Sequence, residues 1–225
     1  MADLVVTAVE APHALATTVM EALASVACDG GARDGGACDG GAFPEEAYIR
    51  AARSNIISRD ALVQGAANVS IAGDGVVRPG AIIRGDLARV RVGRYVDVGA
   101  GAILRPAARA TVDDPPALAY VPQLIGSHVS IGSDAVVEAA AVGLGAVVGA
   151  RAVVGKSVVL KDYCVVAADS IVPDDVVCAP FSILAGAPAV VVGHLPPSAA
   201  DERRREAQAE AARRRRAVAS ARGGA

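Results

Sequence analysis

The chain has 225 residues, a formal net charge of −2 and four cysteines. Hydrophobic residues reach 53%, yet aromatics make up only 3% and tryptophan is absent, which argues against a broad globular core and for a narrow one. Its apolar runs are interrupted by glycine, as in 139–150, whereas a membrane span needs about 20 predominantly apolar residues, so membrane insertion is excluded.

Residues 1–47 differ in kind from the rest. Cys28-Asp29-Gly30-Gly31-Ala32 recurs as Cys38-Asp39-Gly40-Gly41-Ala42, with Arg33-Asp34-Gly35-Gly36-Ala37 between them. Such a repeat buries no core and reads as a disordered, low-complexity extension. Leu15, Val19, Leu23 and Val26 sit at near-helical spacing and predict one short amphipathic helix. Asp3, Glu10 and Glu21 precede the first basic residue, Arg33, unlike a secretory or transit leader, so the cytoplasm is the expected location. No Cys-x-x-Cys pair occurs, and the cysteines read as reduced and structural.

From Tyr48 to about Val69 the chain is expected to lead into the main body and cover its first open edge. That body, 48–197, is written in hexads. Val142, Val148, Val154, Leu160, Val166, Val172, Cys178 and Leu184 follow one another at intervals of six. Small or short residues stand four places after each: Ala146, Ala152, Val158, Cys164, Ser170, Val176, Ser182 and Pro188. Earlier blocks continue the frame with Ile125, Ile131 and Val137, then Val92, Val98 and Leu104, then Ile71, Val77 and Ile83. Val129, Ala135 and Ala141 occupy the small places of the first of these blocks. A period of six suits neither a helix nor an alternating strand. It predicts a coil of short parallel strands, three hexads to a triangular turn, with every sixth side chain inside.

Offsets between blocks mark irregular corners. The step of five from Val137 to Val142 predicts a bulge, and the step of twenty-one from Leu104 to Ile125 predicts a loop that leaves the coil and returns. This excursion carries Pro115-Pro116 and the apolar Tyr120, Val121 and Pro122. It is the expected projecting contact, with Arg105, Pro106, Tyr120, Val121, Pro122 and Leu124 as candidate partner-binding residues. The alternative is that these residues fold back over the wall.

The segment 198–225 reads as a helix, with Ser198 as N-cap, Asp201 and Glu202 in its first turn and Arg213 to Arg216 near its end. It holds eight arginines against four acids; with it set aside, the rest of the chain carries −6. Interleaved acids and missing aromatics favour a solvated helix over a nucleic-acid contact, and no nucleic-acid partner is expected.

Acyl transfer on such a coil wants a histidine base. His13 lies in the extension, His194 follows the last hexad, and His128 reads as a solvated corner residue. Ile83-Arg84-Gly85-Asp86 with Val92-Gly93, and the closing Leu184-Ala185-Gly186-Ala187-Pro188-Ala189, resemble gamma-class carbonic anhydrases. By that resemblance the zinc histidines would stand at Arg105, Ser133 and Glu138 and the positioning glutamine at Gly99. None of those residue types is present, so no metal, cofactor or catalytic residue is expected. Arg84 and Asp86 read as a structural pair at a corner.

A second resemblance is closer. The run Ala81-Ile82-Ile83-Arg84-Gly85-Asp86-Leu87-Ala88-Arg89-Val90-Arg91-Val92-Gly93-Arg94 resembles the family of the fifth dynactin subunit. So do Ile103-Leu104-Arg105-Pro106, Val121-Pro122-Gln123-Leu124-Ile125-Gly126, Val159-Leu160-Lys161-Asp162-Tyr163-Cys164 and Cys178-Ala179-Pro180-Phe181-Ser182-Ile183. The likeness runs from Tyr48 to about Pro197. It implies a mainly β protein, a left-handed parallel β-helix of hexapeptide repeats with a C-terminal α-helix. It also implies a non-catalytic scaffold or adaptor subunit of dynactin's pointed-end complex, serving dynein-driven transport on microtubules. The implied partners are a sister β-helix subunit, an actin-related protein and cargo adaptors; the implied location is the cytoplasmic cytoskeleton. Two other functions stay open: a non-catalytic carbonic-anhydrase-like assembly subunit, and a hexapeptide-repeat acyltransferase.

Overall fold

A hexad leaves room for strands of only two residues, one pointing out and one in. Val147–Val148, Val153–Val154 and Val159–Leu160 are such strands, and each pairs in parallel with the strand eighteen residues on. Three hexads therefore close one turn. The computed structural model describes residues 47–110 and 118–220. The expected disordered extension, its pentapeptide repeats, the helix through Leu15 and Val26, and Pro115-Pro116 lie outside the described residues.

The strands stack into three parallel walls of about six turns. Wall one runs from Asn55–Ser58 through Val76–Val77, Asp97–Val98, Ser130–Ile131, Val147–Val148 and Val165–Val166 to Ser182–Gly186. Wall two runs from Leu62–Gln64 to Ile171–Val172, and wall three from Val69–Gly73 to Val177–Cys178. Antiparallel strands close both ends of wall one, Tyr48–Ala51 at its start and Ala189–His194 at its finish. The lead-in is thus shorter than the sequence suggested. Among the described residues only Tyr48–Ala51 covers that edge, and the residues from Asn55 onward already form the first turn.

The hexad residues are the core. Val92, Val98, Leu104, Ile125, Ile131, Val137 and all eight from Val142 to Leu184 are buried. Each contributes roughly 1.5–3 kcal/mol of burial, repeated turn by turn. Cys164 and Cys178 are reduced and buried in this column, where burial pushes the Cys164 thiol up to about 11. Three small-position expectations need correction, the first being Val176, which is only half-buried. Ala141 is half-buried and Ala139 takes the inward place, because the five-residue step removes one residue from that corner. Pro188 is exposed, because the chain has already turned into the terminal hairpin.

Between walls three and one the corner residue is left-handed at Asp74, Tyr95, His128, Gly145, Tyr163 and Phe181. Positive φ is uncommon for tyrosine or phenylalanine. Here their rings stack along the corner, Tyr95 on His128 and Tyr163 on Phe181, each at 5.1 Å. Gly145 makes room for this: a Cβ there would lie 2.5 Å from the Tyr163 ring.

One α-helix, α1 (Ala199–Ser220), follows the coil. The sequence reading made it solvated; in the structure it lies against wall one, held by arginines. Arg204 Nε donates to the Tyr163 hydroxyl at 2.8 Å, Arg214 pairs with Asp97, and Arg215 pairs with Asp74. Ala211 is buried over Ile56 and Val76. An absent apolar stripe does not forbid docking when the wall supplies carboxylates.

Candidate interaction face

Wall two and the excursion beside it are left uncovered by α1. The outward residues of wall two, Leu62, Ile82, Ile103, Val136, Val153 and Ile171, are aligned by the strand register into one aliphatic ladder. Leu62 and Ile171 are exposed and the four between are half-buried. The excursion leaves at the end of the third strand of this wall. It forms an antiparallel hairpin, Ala108–Ala110 with Leu118–Tyr120, in the register Ala108↔Tyr120, Arg109↔Ala119 and Ala110↔Leu118. Val121 N–H donates to Ala107 O at 2.9 Å and closes its base.

The six expected contact residues separate into two groups. Arg105, Pro122 and Leu124 are exposed, with Leu124 at 48%. Pro106 is buried, and Tyr120 and Val121 are half-buried, because the hairpin base folds onto the coil. Both earlier alternatives therefore hold in part: the base covers the wall, while the far strand projects. Leu118, 64% exposed, is the most open large apolar residue of this region and was missed by the sequence reading. Its neighbours carry no period that would single it out.

Gln123 was also missed, although the hexad frame contains the signal. It stands two residues before the inward Ile125, a place that small residues occupy elsewhere. Its side chain is fully buried, and Nε2 donates to Val137 O at 2.9 Å and Ala139 O at 3.1 Å. Val137 O also accepts the regular ladder bond from Arg105 N–H at 3.1 Å, whereas the shortened corner leaves Ala139 O to the Gln123 amide.

At the zinc positions of the carbonic anhydrase likeness, Leu104 pairs with Val137, so Arg105 and Glu138 are neighbours one turn apart. Arg105 Nη1 lies 3.5 Å from Glu138 Oε1, so a guanidinium stands where that likeness would put a ligand. Arginine offers no lone pair to a metal. At Gly99 a Cβ would lie 2.5 Å from the backbone carbon of Gly132, leaving no space for a longer side chain without backbone movement. These residues do not fit a zinc centre. Arg84 and Asp86 form the expected corner pair, with two hydrogen bonds of 2.8 Å.

His128 also departs from its expectation. It was expected as a solvated corner; it is half-buried near Arg204 of α1, with neither ring nitrogen open to solvent or hydrogen-bonded. Burial, then the nearby Arg204 and Arg94, hold its pKa below the ordinary histidine value.

The sequence profile of the Dynactin subunit 5 family matches residues 41–205. A Dynactin subunit 5 from Dictyostelium discoideum is 34% identical over 90 residues, 40% of this chain and 44% of that protein. The chain thus spans less than half the length of this curated relative in the match. Among solved structures, a hexapeptide transferase family protein from Anaplasma phagocytophilum superposes with a TM-score of 0.54 at 19% identity, covering 72% of this chain and 91% of its own. The acetyltransferase domain of PglB from Neisseria gonorrhoeae gives 0.48 at 17% identity, over 62% and 58%. At that identity the first of these shows the hexapeptide-repeat fold alone.

Proposed function

Because the chain belongs to the dynactin subunit 5 family, we propose that it is a non-catalytic scaffold subunit of dynactin's pointed-end complex. In this role it supports dynein-driven transport along microtubules in the cytoplasm. Its neighbours are a sister β-helix subunit and an actin-related protein, and cargo adaptors bind the assembly. The observation that supports this most is the Arg105–Glu138 pair, a charge arrangement suited to holding a corner rather than to activating water. The rigid coil then acts as a surface. Its binding residues are Arg105, Pro122 and Leu124 with Leu118, and Pro106, Tyr120 and Val121 hold the hairpin that presents them.

The reading is tested by capturing the tagged full-length chain from cell extract, unaltered and as a Leu118→Asp/Leu124→Asp double variant. Both substitutions fall on exposed positions, so the coil should keep its circular dichroism and melting temperature. The unaltered chain should bring down the actin-related protein and the second β-helix subunit, and the double variant should lose at least one of them. Equal recovery by both chains would show that the hairpin face is not the contact. Recovery of neither partner by the unaltered chain would reject the scaffold reading itself.

A further inference from the structure

The helix α1 is fastened by charge at one end and by a tyrosine hydroxyl at the other. At the start of the coil Arg215 meets Asp74 and Arg214 meets Asp97; four turns on, Arg204 reaches Tyr163. His128 lies on the same corner between these anchors, its ring stacked on Tyr95. Nδ1 and Nε2 are both shut off from solvent without a partner. A neutral imidazole tolerates this at the cost of unmade hydrogen bonds, whereas a buried, unpaired imidazolium is far more costly.

The surroundings offer a proton no compensation. The charged groups acting on the ring are Arg204 of α1 and Arg94 at the end of the strand Val90–Arg94, both cations. The hydroxyls of Tyr95 and Tyr163 are approached by Arg94 and Arg204. The carboxylates of the region are already engaged, Asp74 by Arg94 and Arg215, and Asp97 by Arg78 and Arg214. On α1 itself, Glu202 and Glu206 act on Arg203, and Glu210 pairs with Arg214.

We infer that α1 is a detachable cover latched by neutral His128, and that protonation of this imidazole lifts the helix from wall one while the coil stays folded. A third positive charge beside Arg94 and Arg204 is relieved when the helix moves away and water reaches the ring. The coil has no reason to follow, because its inward column holds aliphatic residues, two protonated thiols and the uncharged Gln123, Ser170 and Ser182. Lifting α1 uncovers Ile56 and Val76 beneath Ala211 and takes Arg215 away from the Tyr95 side chain. The window has two bounds. Release begins below the ordinary histidine value of about 6.5, and above about 4 Asp74 and Asp97 remain charged.

The absence of tryptophan makes the test direct. In the full-length Tyr95→Trp variant, the emission maximum and acrylamide quenching are compared at pH 7.5 and 5.5, with far-UV circular dichroism alongside. The expected result at low pH is a reversible shift to longer wavelength and a severalfold rise in quenching, with the β signal retained. In the Tyr95→Trp/His128→Gln variant both readings should match at the two pH values. A guard against disturbance by the probe is amide exchange of the unaltered chain, corrected for intrinsic pH dependence. Residues 203–215 should lose protection at pH 5.5 while the coil keeps it. Unchanged protection of α1, an equal spectral shift in the His128→Gln background, or loss of the β signal together with the shift would each overturn the proposal.

Discussion

Val154 has no exposed surface, and Val153, one residue earlier, is half-exposed on wall two. Val154→Asp should therefore unfold or aggregate the chain, since a buried unpaired carboxylate costs several kcal/mol. Val153→Asp should shift the melting temperature by only a few degrees. Comparable damage from both would mean that the register is wrong. Gln123 offers a second test at this scale. Gln123→Met keeps the volume but strands Ala139 O, while Val137 O keeps its bond from Arg105 N–H, so chemical denaturation should show a loss of about 1–3 kcal/mol. The residues legible in the sequence were the periodic ones. Gln123 escaped because its role depends on a corner one residue short, and His128 escaped because what covers it lies some seventy residues further along the chain.

The element whose reading changed most is α1. Periodicity measures apolar faces, and this helix has almost none; its docking depends on Asp74 and Asp97, which no local pattern connects with Arg214 and Arg215. Burial works to raise both carboxyl pKa values. It is outweighed at Asp97 by Arg214 and Arg78, and at Asp74 by Arg215 and Arg94, so both are held below the usual value. The unfolded chain then takes up protons first as the pH falls. The stabilisation is complete above about 3.9 and is lost as the pH drops through the lower folded values. Asp97 is 14% exposed and Arg214 11%, so Asp97→Asn should cost about 3 kcal/mol by taking the carboxylate from Arg78 and leaving Arg214 with Glu210 alone. Urea titrations at pH 7 and pH 3 should show this difference at the higher pH and a smaller one at the lower. A difference independent of pH would argue that packing, not charge, holds the helix.

At the scale of the whole molecule, the three-walled coil was readable from spacing because one side chain per hexad must face inward and nothing else gives a period of six. Of the six residues proposed as a contact, Arg105, Pro122 and Leu124 are exposed, while the folding-back of Pro106 and Val121 depends on a hairpin whose register no sequence pattern specifies. Wall one is covered by α1, both its ends carry antiparallel strands, and the aliphatic ladder of wall two is left open beside the hairpin. Among the described residues, wall two, wall three with Leu124, and the hairpin at the corner between them are left open to neighbours. Native mass measurement of the endogenous, gently purified assembly tests that claim most directly. The account predicts a hetero-complex in which this chain sits with an actin-related protein and a different β-helix subunit. A stable homotrimer of this chain alone would contradict it.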